Sequence, residues 1–148
     1  MTRSMITIVH LAMTLAGACL VSCVSTDVQG PWTHGPLTNV RDSLAGYVFV
    51  QVSCRHRAIL CQVRASEESI LQNSSTAAHA FDGKWAQASM VDDGGREHAM
   101  AQIGNRATST GLATQLALEF TLKGAIADSG NRVVVHLGEE SWSIAIPR

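Results

Sequence analysis

The sequence predicts an all-β fold, a small antiparallel β-sandwich or barrel of about seven strands behind a flexible N-terminal tether. Short segments after residue 46 alternate between apolar and polar residues, which is the period of a strand with one buried face. Clusters rich in glycine, aspartate and asparagine separate these segments and indicate turns. No segment after residue 23 repeats with the period of a long amphipathic helix.

The first two predicted strands are residues 46–54 and 58–64, with β-branched residues at alternate positions. The hairpin between them is expected to place Cys54 opposite Cys61, on the face that carries the valines. Directly opposite side chains lie near the separation that a disulfide needs, so we predict a disulfide between these two cysteines. Free thiols are one alternative, and the other is a zinc site that adds the imidazole of His56 to both thiolates.

Five further strands complete the predicted domain, and residues 66–80 before them are predicted to be irregular. These strands cover residues 84–91, 97–103, 112–122, 132–137 and 141–146. The segment between the first two of these strands strongly indicates a hairpin turn. It consists of Asp92, Asp93, Gly94, Gly95 and Arg96. The strand over 112–122 alternates most clearly. One of its faces carries Leu112, Leu116, Leu118, Phe120 and Leu122.

The N-terminus has the layout of a secretory signal, which is a short basic start followed by an apolar stretch and small residues. Residues 1–4 carry the basic Arg3, and residues 5–21 are predominantly apolar. This apolar run is marginal for a spanning helix, which needs about 20 such residues. We therefore predict a cleaved signal rather than a permanent transmembrane anchor.

The segment Leu20-Val21-Ser22-Cys23 resembles the lipobox of bacterial lipoprotein precursors, in which Leu, a small or aliphatic residue and a small residue precede a cysteine. The resemblance implies that Cys23 receives a diacylglycerol, that the signal is cut before it, and that the new N-terminus is acylated, often with palmitate. Cys19 is the rival site, but Ala16 stands where the motif has leucine. Val24 follows the cysteine, which in this family implies the outer membrane, with the domain facing the periplasm.

The predicted organisation has three parts. Residues 1–22 are a lipoprotein signal peptide, residues 23–45 are the lipidated cysteine and a flexible tether, and residues 46–148 are one β-rich periplasmic domain. The net charge of the chain is −1, and loss of Arg3 with the signal makes it more negative. A nucleic-acid binder needs a basic stripe, so this class of protein is excluded. The implied partners are the lipid bilayer, through the acyl anchor, and another protein.

Local motifs for catalysis are missing from the sequence, which contains no nucleophile elbow, no phosphate-binding loop and no zinc-protease helix. We therefore predict no catalytic residues, no metal and no cofactor apart from the covalent lipid on Cys23. Arg55, His56 and Arg57 form a cationic group at the expected hairpin tip, and we predict that they bind a partner. The alternative is that they only keep the tip soluble.

These observations favour a non-catalytic protein-binding module, most simply an inhibitor or immunity protein against a toxin or enzyme that acts on the cell wall or membrane. A cationic tip suits a glycosidase-type cleft, in which paired carboxylates perform the chemistry. A pilotin-like assembly factor of an envelope secretion machine is the alternative, and it would need an exposed apolar groove or edge strand. A third hypothesis is that the protein is an envelope enzyme whose active site is assembled from residues that are distant in sequence.

Overall fold

The structure, a computed structural model of the chain, describes residues 30–43, 46–66, 68–69, 85–110 and 113–148. Within these ranges ten strands form two antiparallel sheets. The inner faces of both sheets contribute to one hydrophobic core. The predicted all-β class is therefore confirmed, and the arrangement of two sheets is consistent with a sandwich.

The strands of the first sheet are β1 (Thr33–His34), β2 (Thr38–Ser43), β3 (Gly46–Arg55), β4 (Ala58–Ser66), β7 (Ala101–Thr110) and β8 (Ala113–Lys123). Their order is β1-β3-β4-β8-β7, and β2 pairs with β3 on the same edge as β1. The second sheet contains β5 (Ala86–Asp92), β6 (Glu97–Ala99), β9 (Gly130–Leu137) and β10 (Glu140–Ala145). Its order is β10-β9-β5-β6.

The predicted flexible tether extends too far, because β1 and β2 lie within it and pair with β3. Together they form one edge strand that is interrupted at residues 35–37, which include Gly35 and Pro36. The Gly35 amide donates to the Val52 carbonyl oxygen at 2.9 Å. A Cβ at this position would lie only 2.7 Å from that oxygen, so the close approach requires glycine. Proline is tolerated beside it because an edge strand leaves some amide positions unpaired.

The core is built from the alternate positions that the sequence pattern predicts. The first sheet contributes Val48, Val50, Val52, Ile59, Cys61, Val63, Leu116, Leu118 and Phe120. The second sheet contributes Ala86, Ala88, Met90, Val133, Val135, Leu137 and Ile144. The predicted apolar face of the strand over 112–122 is thus confirmed from Leu116 onward, while the side chain of Leu112 lies outside the described residues.

The predicted strand over residues 97–103 is in fact divided between the two sheets. Its first part is β6 in the second sheet and its last part belongs to β7 in the first sheet, with Met100 between them. Met100 is buried, and its amide donates to the Ala88 carbonyl at 2.9 Å. Strands that bend from one sheet into the other form the corners of β-sandwiches. The division places β7 at the open edge of the first sheet, among the described strands.

The predicted hairpin turn at residues 92–96 is confirmed. Gly95 has a φ of 78°, which is the left-handed conformation that favours glycine. The Asp92 carboxylate accepts from the Arg96 amide at 2.8 Å and contacts His98 Nε2 at 2.9 Å. The hydrogen bond with His98 is the largest cause that lowers the pKa of Asp92, and the hydrogen bond from the Arg96 amide is the second. This carboxylate therefore has a structural role in the turn.

Candidate binding surfaces

The predicted hairpin tip is present, with His56 and Arg57 as the two turn residues between β3 and β4. Arg57 has a φ of 56°, which is the left-handed conformation, so it is the residue of the turn that adopts a backbone conformation rare outside glycine. The structure therefore brings the three predicted partner-binding residues together. Other residues of the domain also contact these three residues.

Asp128, in the short 3-10 helix η1 (Ala125–Ser129), faces this tip. One of its carboxylate oxygens accepts from the Arg57 amide at 2.7 Å, and the other lies 3.5 Å from His56 Nδ1. The Gly124 amide donates to the Arg57 carbonyl at 2.9 Å. Part of the positive charge at the tip is thus offset by a carboxylate of the same chain.

Arg55 points back toward the domain rather than toward a partner. Its guanidinium carbon lies 4.4 Å from the centroid of a Trp32 ring, which is cation–π geometry. The side chain is half-buried, and its Nε has no hydrogen-bond partner among the described residues. The tip therefore presents less free charge than the sequence alone suggests.

The predicted disulfide between Cys54 and Cys61 is wrong, because both thiols are free. Cys54 lies opposite Ile59, and Cys61 lies opposite Val52. The turn is centred one residue earlier in the chain than we predicted. Each residue of β3 therefore pairs with a residue of β4 that is two positions before the predicted partner, so Cys54 pairs with Ile59 instead of Cys61. Diagonal neighbours of this kind have Cα atoms about 7–8 Å apart, which is too far for a disulfide.

The two thiols have different surroundings. The Cys54 thiol donates to the Pro147 carbonyl at 2.8 Å, which fastens the C-terminal segment to β3. Cys61 is fully buried in the core. Burial raises the pKa of Cys54 and raises that of Cys61 to about 12. Both thiols therefore stay protonated at neutral pH, and the nucleophilic thiolate form is rare.

This arrangement predicts the outcome of a thiol titration without reductant. In the folded mature protein we expect slow labelling of Cys54 and no labelling of Cys61 by a thiol-specific chromophore. After unfolding in denaturant, both thiols should react. In the variant Cys54→Ser, one thiol should react only after unfolding. If the unfolded, unreduced wild type shows no reactive thiol, the two cysteines are joined and the register described above is contradicted.

The outer face of the first sheet carries the arrangement that the sequence does not reveal. Arg64 on β4 lies beside Ala117 on β8, which lies beside Arg106 on β7. Adjacent strands are about 4.8 Å apart, so the two arginine backbones are separated by roughly 10 Å. Both side chains are exposed, and neither forms an ion pair or hydrogen bond with the described part of the chain. We call the depression of about 570 Å³ that they flank the arginine groove.

Small residues form the floor of the arginine groove, and among its described lining residues one, Glu119, carries a carboxylate. Ala117 leaves the space between the two arginines open, and Gly104 lies opposite Glu119 on the floor of the same depression. Glu119 Oε1 accepts from Gln62 Nε2 at 2.7 Å. The other carboxylate oxygen, Oε2, would lie 3.0 Å from a Cβ atom added at Gly104. Glu119 is thus held by Gln62 rather than by an arginine, and the groove contains more positive than negative charge.

A second cleft, of about 500 Å³, lies where β5 extends beyond the short strand β6. Ser89, Glu97 and His136 all line it, which is a set of residue types that hydrolases use. However, the Ser89 hydroxyl donates to the Glu97 carboxylate. The register places Ser89 opposite Val134, and no hydrogen bond joins it to His136 among the described contacts. The nucleophile–base hydrogen bond of a catalytic serine is therefore not formed here.

The remaining predicted features concern metal binding, lipidation and the membrane. Within the described residues, no group of three or more His, Cys, Asp or Glu side chains is placed to hold a metal ion. Cys23, the predicted lipidation site, lies outside the described residues. In the described part of the chain, no helix has the length and apolar character needed to cross a membrane.

The arginine groove could have been recognised only partly from sequence. Arg64 stands at an outward position of a predicted strand, and Glu119 does so on another. Arg106 lies beyond the predicted end of its strand at residue 103, so its face could not be assigned. The signal that was missing is the order of the strands, which makes β4, β8 and β7 neighbours.

No protein-family model matches the chain, and no curated protein or solved structure matches it.

Proposed function

We propose that this chain is an outer-membrane-anchored periplasmic lipoprotein that acts as a non-catalytic protein-binding module, of the inhibitor or immunity type. The observation that carries this proposal is the pair of arginines, Arg64 and Arg106, on the exposed face of the first sheet. The opposite face of that sheet is buried in the core, so core packing restrains the backbone that carries the exposed face. A rigid cationic surface is suited to capturing an acidic partner.

The sequence of the N-terminus supports the location in this proposal. The lipobox-like segment ending at Cys23 would attach the mature chain to the membrane through two or more acyl chains. One acyl chain binds a membrane only weakly, whereas two or more hold firmly. An anchored inhibitor stays in the compartment that a toxin or cell-wall hydrolase must enter, which fits the proposed role.

The hairpin tip is a second candidate contact for the same partner. Arg57 and His56 are exposed, and the Asp128 carboxylate lies beside both of them. The substitution Arg57→Gly removes the side chain and suits the positive φ at this position, so it should leave the turn intact. It therefore tests the contribution of the tip to binding without the strain that alanine would introduce.

The proposal is tested by inhibition rather than by capture alone. The mature lipoprotein, purified in detergent, is mixed with each secreted toxin or envelope hydrolase that it retains on a column, and the activity of that protein is measured. We expect loss of activity at a one-to-one ratio, and weaker inhibition at high salt because opposite charges steer the association. If no retained protein is inhibited, while the lipoprotein itself converts an envelope substrate, the proposal fails and the enzyme reading replaces it.

A pilotin-like assembly factor remains the second candidate because of one observation. β7 is the terminal strand of the first sheet among the described strands, and terminal strands can pair with an added strand of a partner. Under this reading, the retained protein would be a subunit of a secretion machine. Cross-links from it would then map to residues of β7, and no enzyme would be inhibited.

A further inference from the structure

We propose that the arginine groove binds an extended acidic segment of the partner protein, with one carboxylate on Arg64 and a second on Arg106. This inference rests on the proposed function and specifies the chemistry of the partner. The two arginines are in one cross-strand row, and the small residue Ala117 separates them. Such a row differs from scattered surface arginines because both groups border the same depression.

The spacing of the groove matches two carboxylates on one side of an extended peptide. Side chains at positions i and i+2 of a strand point to the same side and are about 7 Å apart. The arginine backbones are about 10 Å apart, and their side chains can converge over Ala117. Each guanidinium can hold one carboxylate through two parallel hydrogen bonds. A segment with acidic residues at alternate positions therefore fits the groove.

The residues around the arginines refine the expected segment. Phe49 lies directly opposite Arg64 on the neighbouring strand, and its ring is 5.2 Å from that of Tyr47. These rings are half-buried and lie on the same outer face as Arg64. They offer an apolar surface beside the cationic one. We expect an aromatic or aliphatic residue to flank the acidic positions of the bound segment.

The separation of the two arginines favours two carboxylates over one compact anion. Their backbones are about 10 Å apart, so two carboxylates on one segment can each pair with one guanidinium. Glu119, which Gln62 holds beside the groove, repels an anion that is centred between the arginines. The groove is therefore better matched to an acidic peptide than to a phosphate.

The inference is tested with synthetic peptides and the mature lipoprotein in detergent. One fluorescent peptide carries glutamates at alternate positions beside a phenylalanine, and the control peptide carries glutamines instead. We expect the acidic peptide to bind, to lose affinity at high salt, and to be released by Arg64→Gln or Arg106→Gln with about a tenfold or larger rise in Kd for each. Arg132→Gln is the matched control, because Arg132 is exposed on the second sheet and should not change the Kd.

Several results would overturn the inference. These are equal affinity for the acidic and the amide peptide, equal weakening by Arg132→Gln, or displacement of the labelled peptide by inorganic phosphate at lower concentration than by the unlabelled acidic peptide. Thermal midpoints of the variants separate lost binding from lost folding, and Arg64→Lys should bind with intermediate affinity because lysine keeps the charge but loses the paired hydrogen bonds. If the double variant Arg64→Gln, Arg106→Gln still inhibits the captured partner as the wild type does, the groove assignment is wrong while the proposed function stands.

Discussion

Replacing Cys23 by alanine is expected to abolish lipid labelling and to release the protein from the membrane. The thiol of Cys23 is the acyl acceptor that the lipobox resemblance implies, and no other residue of the mature chain can take its place in that motif. Each buried methylene contributes about 0.8 kcal/mol to membrane binding, so loss of the acyl chains removes the whole anchoring free energy. Incorporation of labelled palmitate and fractionation of the cells measure the two effects.

The matched control for this experiment is Cys19→Ala, which changes the rival cysteine and should leave labelling and membrane attachment as in the wild type. The opposite result, labelling of Cys23→Ala but not of Cys19→Ala, would move the processing site to Cys19. A mature mass that includes residues 1–22 would contradict cleavage and, with it, the lipoprotein reading.

Replacing Leu118 by alanine is expected to lower the free energy of unfolding by about 2–5 kcal/mol. Leu118 is fully buried on β8, which lies between β4 and β7 in the first sheet. It faces the core beside Val63 on the neighbouring strand. A truncated side chain here loses its transfer free energy and leaves a cavity that the surrounding strands can close only in part. Denaturant unfolding followed by circular dichroism measures the loss.

Ile103→Ala provides the matched control for a shortened aliphatic side chain in the same sheet. Ile103 is 58% exposed at the irregularity of β7, so its replacement should change the unfolding free energy by no more than about 0.5 kcal/mol. Equal destabilisation by the two substitutions would contradict the assignment of inner and outer faces. It would also question the exposed position of the arginine groove, which Ile103 borders.

The elements that sequence predicted best are those with strong local signals. The alternation of Leu116, Leu118 and Phe120 predicted the buried face of β8, because successive side chains of a strand point to opposite sides. The glycines and aspartates at residues 92–96 predicted a hairpin, because their backbone and side chains favour tight turns. Both signals act within a few residues of each other, so no knowledge of the remaining chain was needed.

The errors arose where one residue of register or a distant contact decides the result. The turn at His56 and Arg57 is one residue earlier than expected, and this small shift separates Cys54 from Cys61. The segment containing β1 and β2 has the composition of a tether, but β3 offers it an edge to pair with. Such pairing depends on the tertiary fold, which composition does not report.

The sequence by itself determined the strand content of this protein, most of its core and the lipobox-like segment at Cys23, because each of these follows from residues close together in the chain. Only the tertiary structure decided the order β4-β8-β7 and the sheet change at Met100. That order places Arg64 and Arg106, which have 41 residues between them in the chain, on either side of Ala117. The fold also places Asp128 beside the hairpin tip. Side chains so distant in sequence meet only after strand pairing, and strand pairing depends on the packing of both sheets on one core.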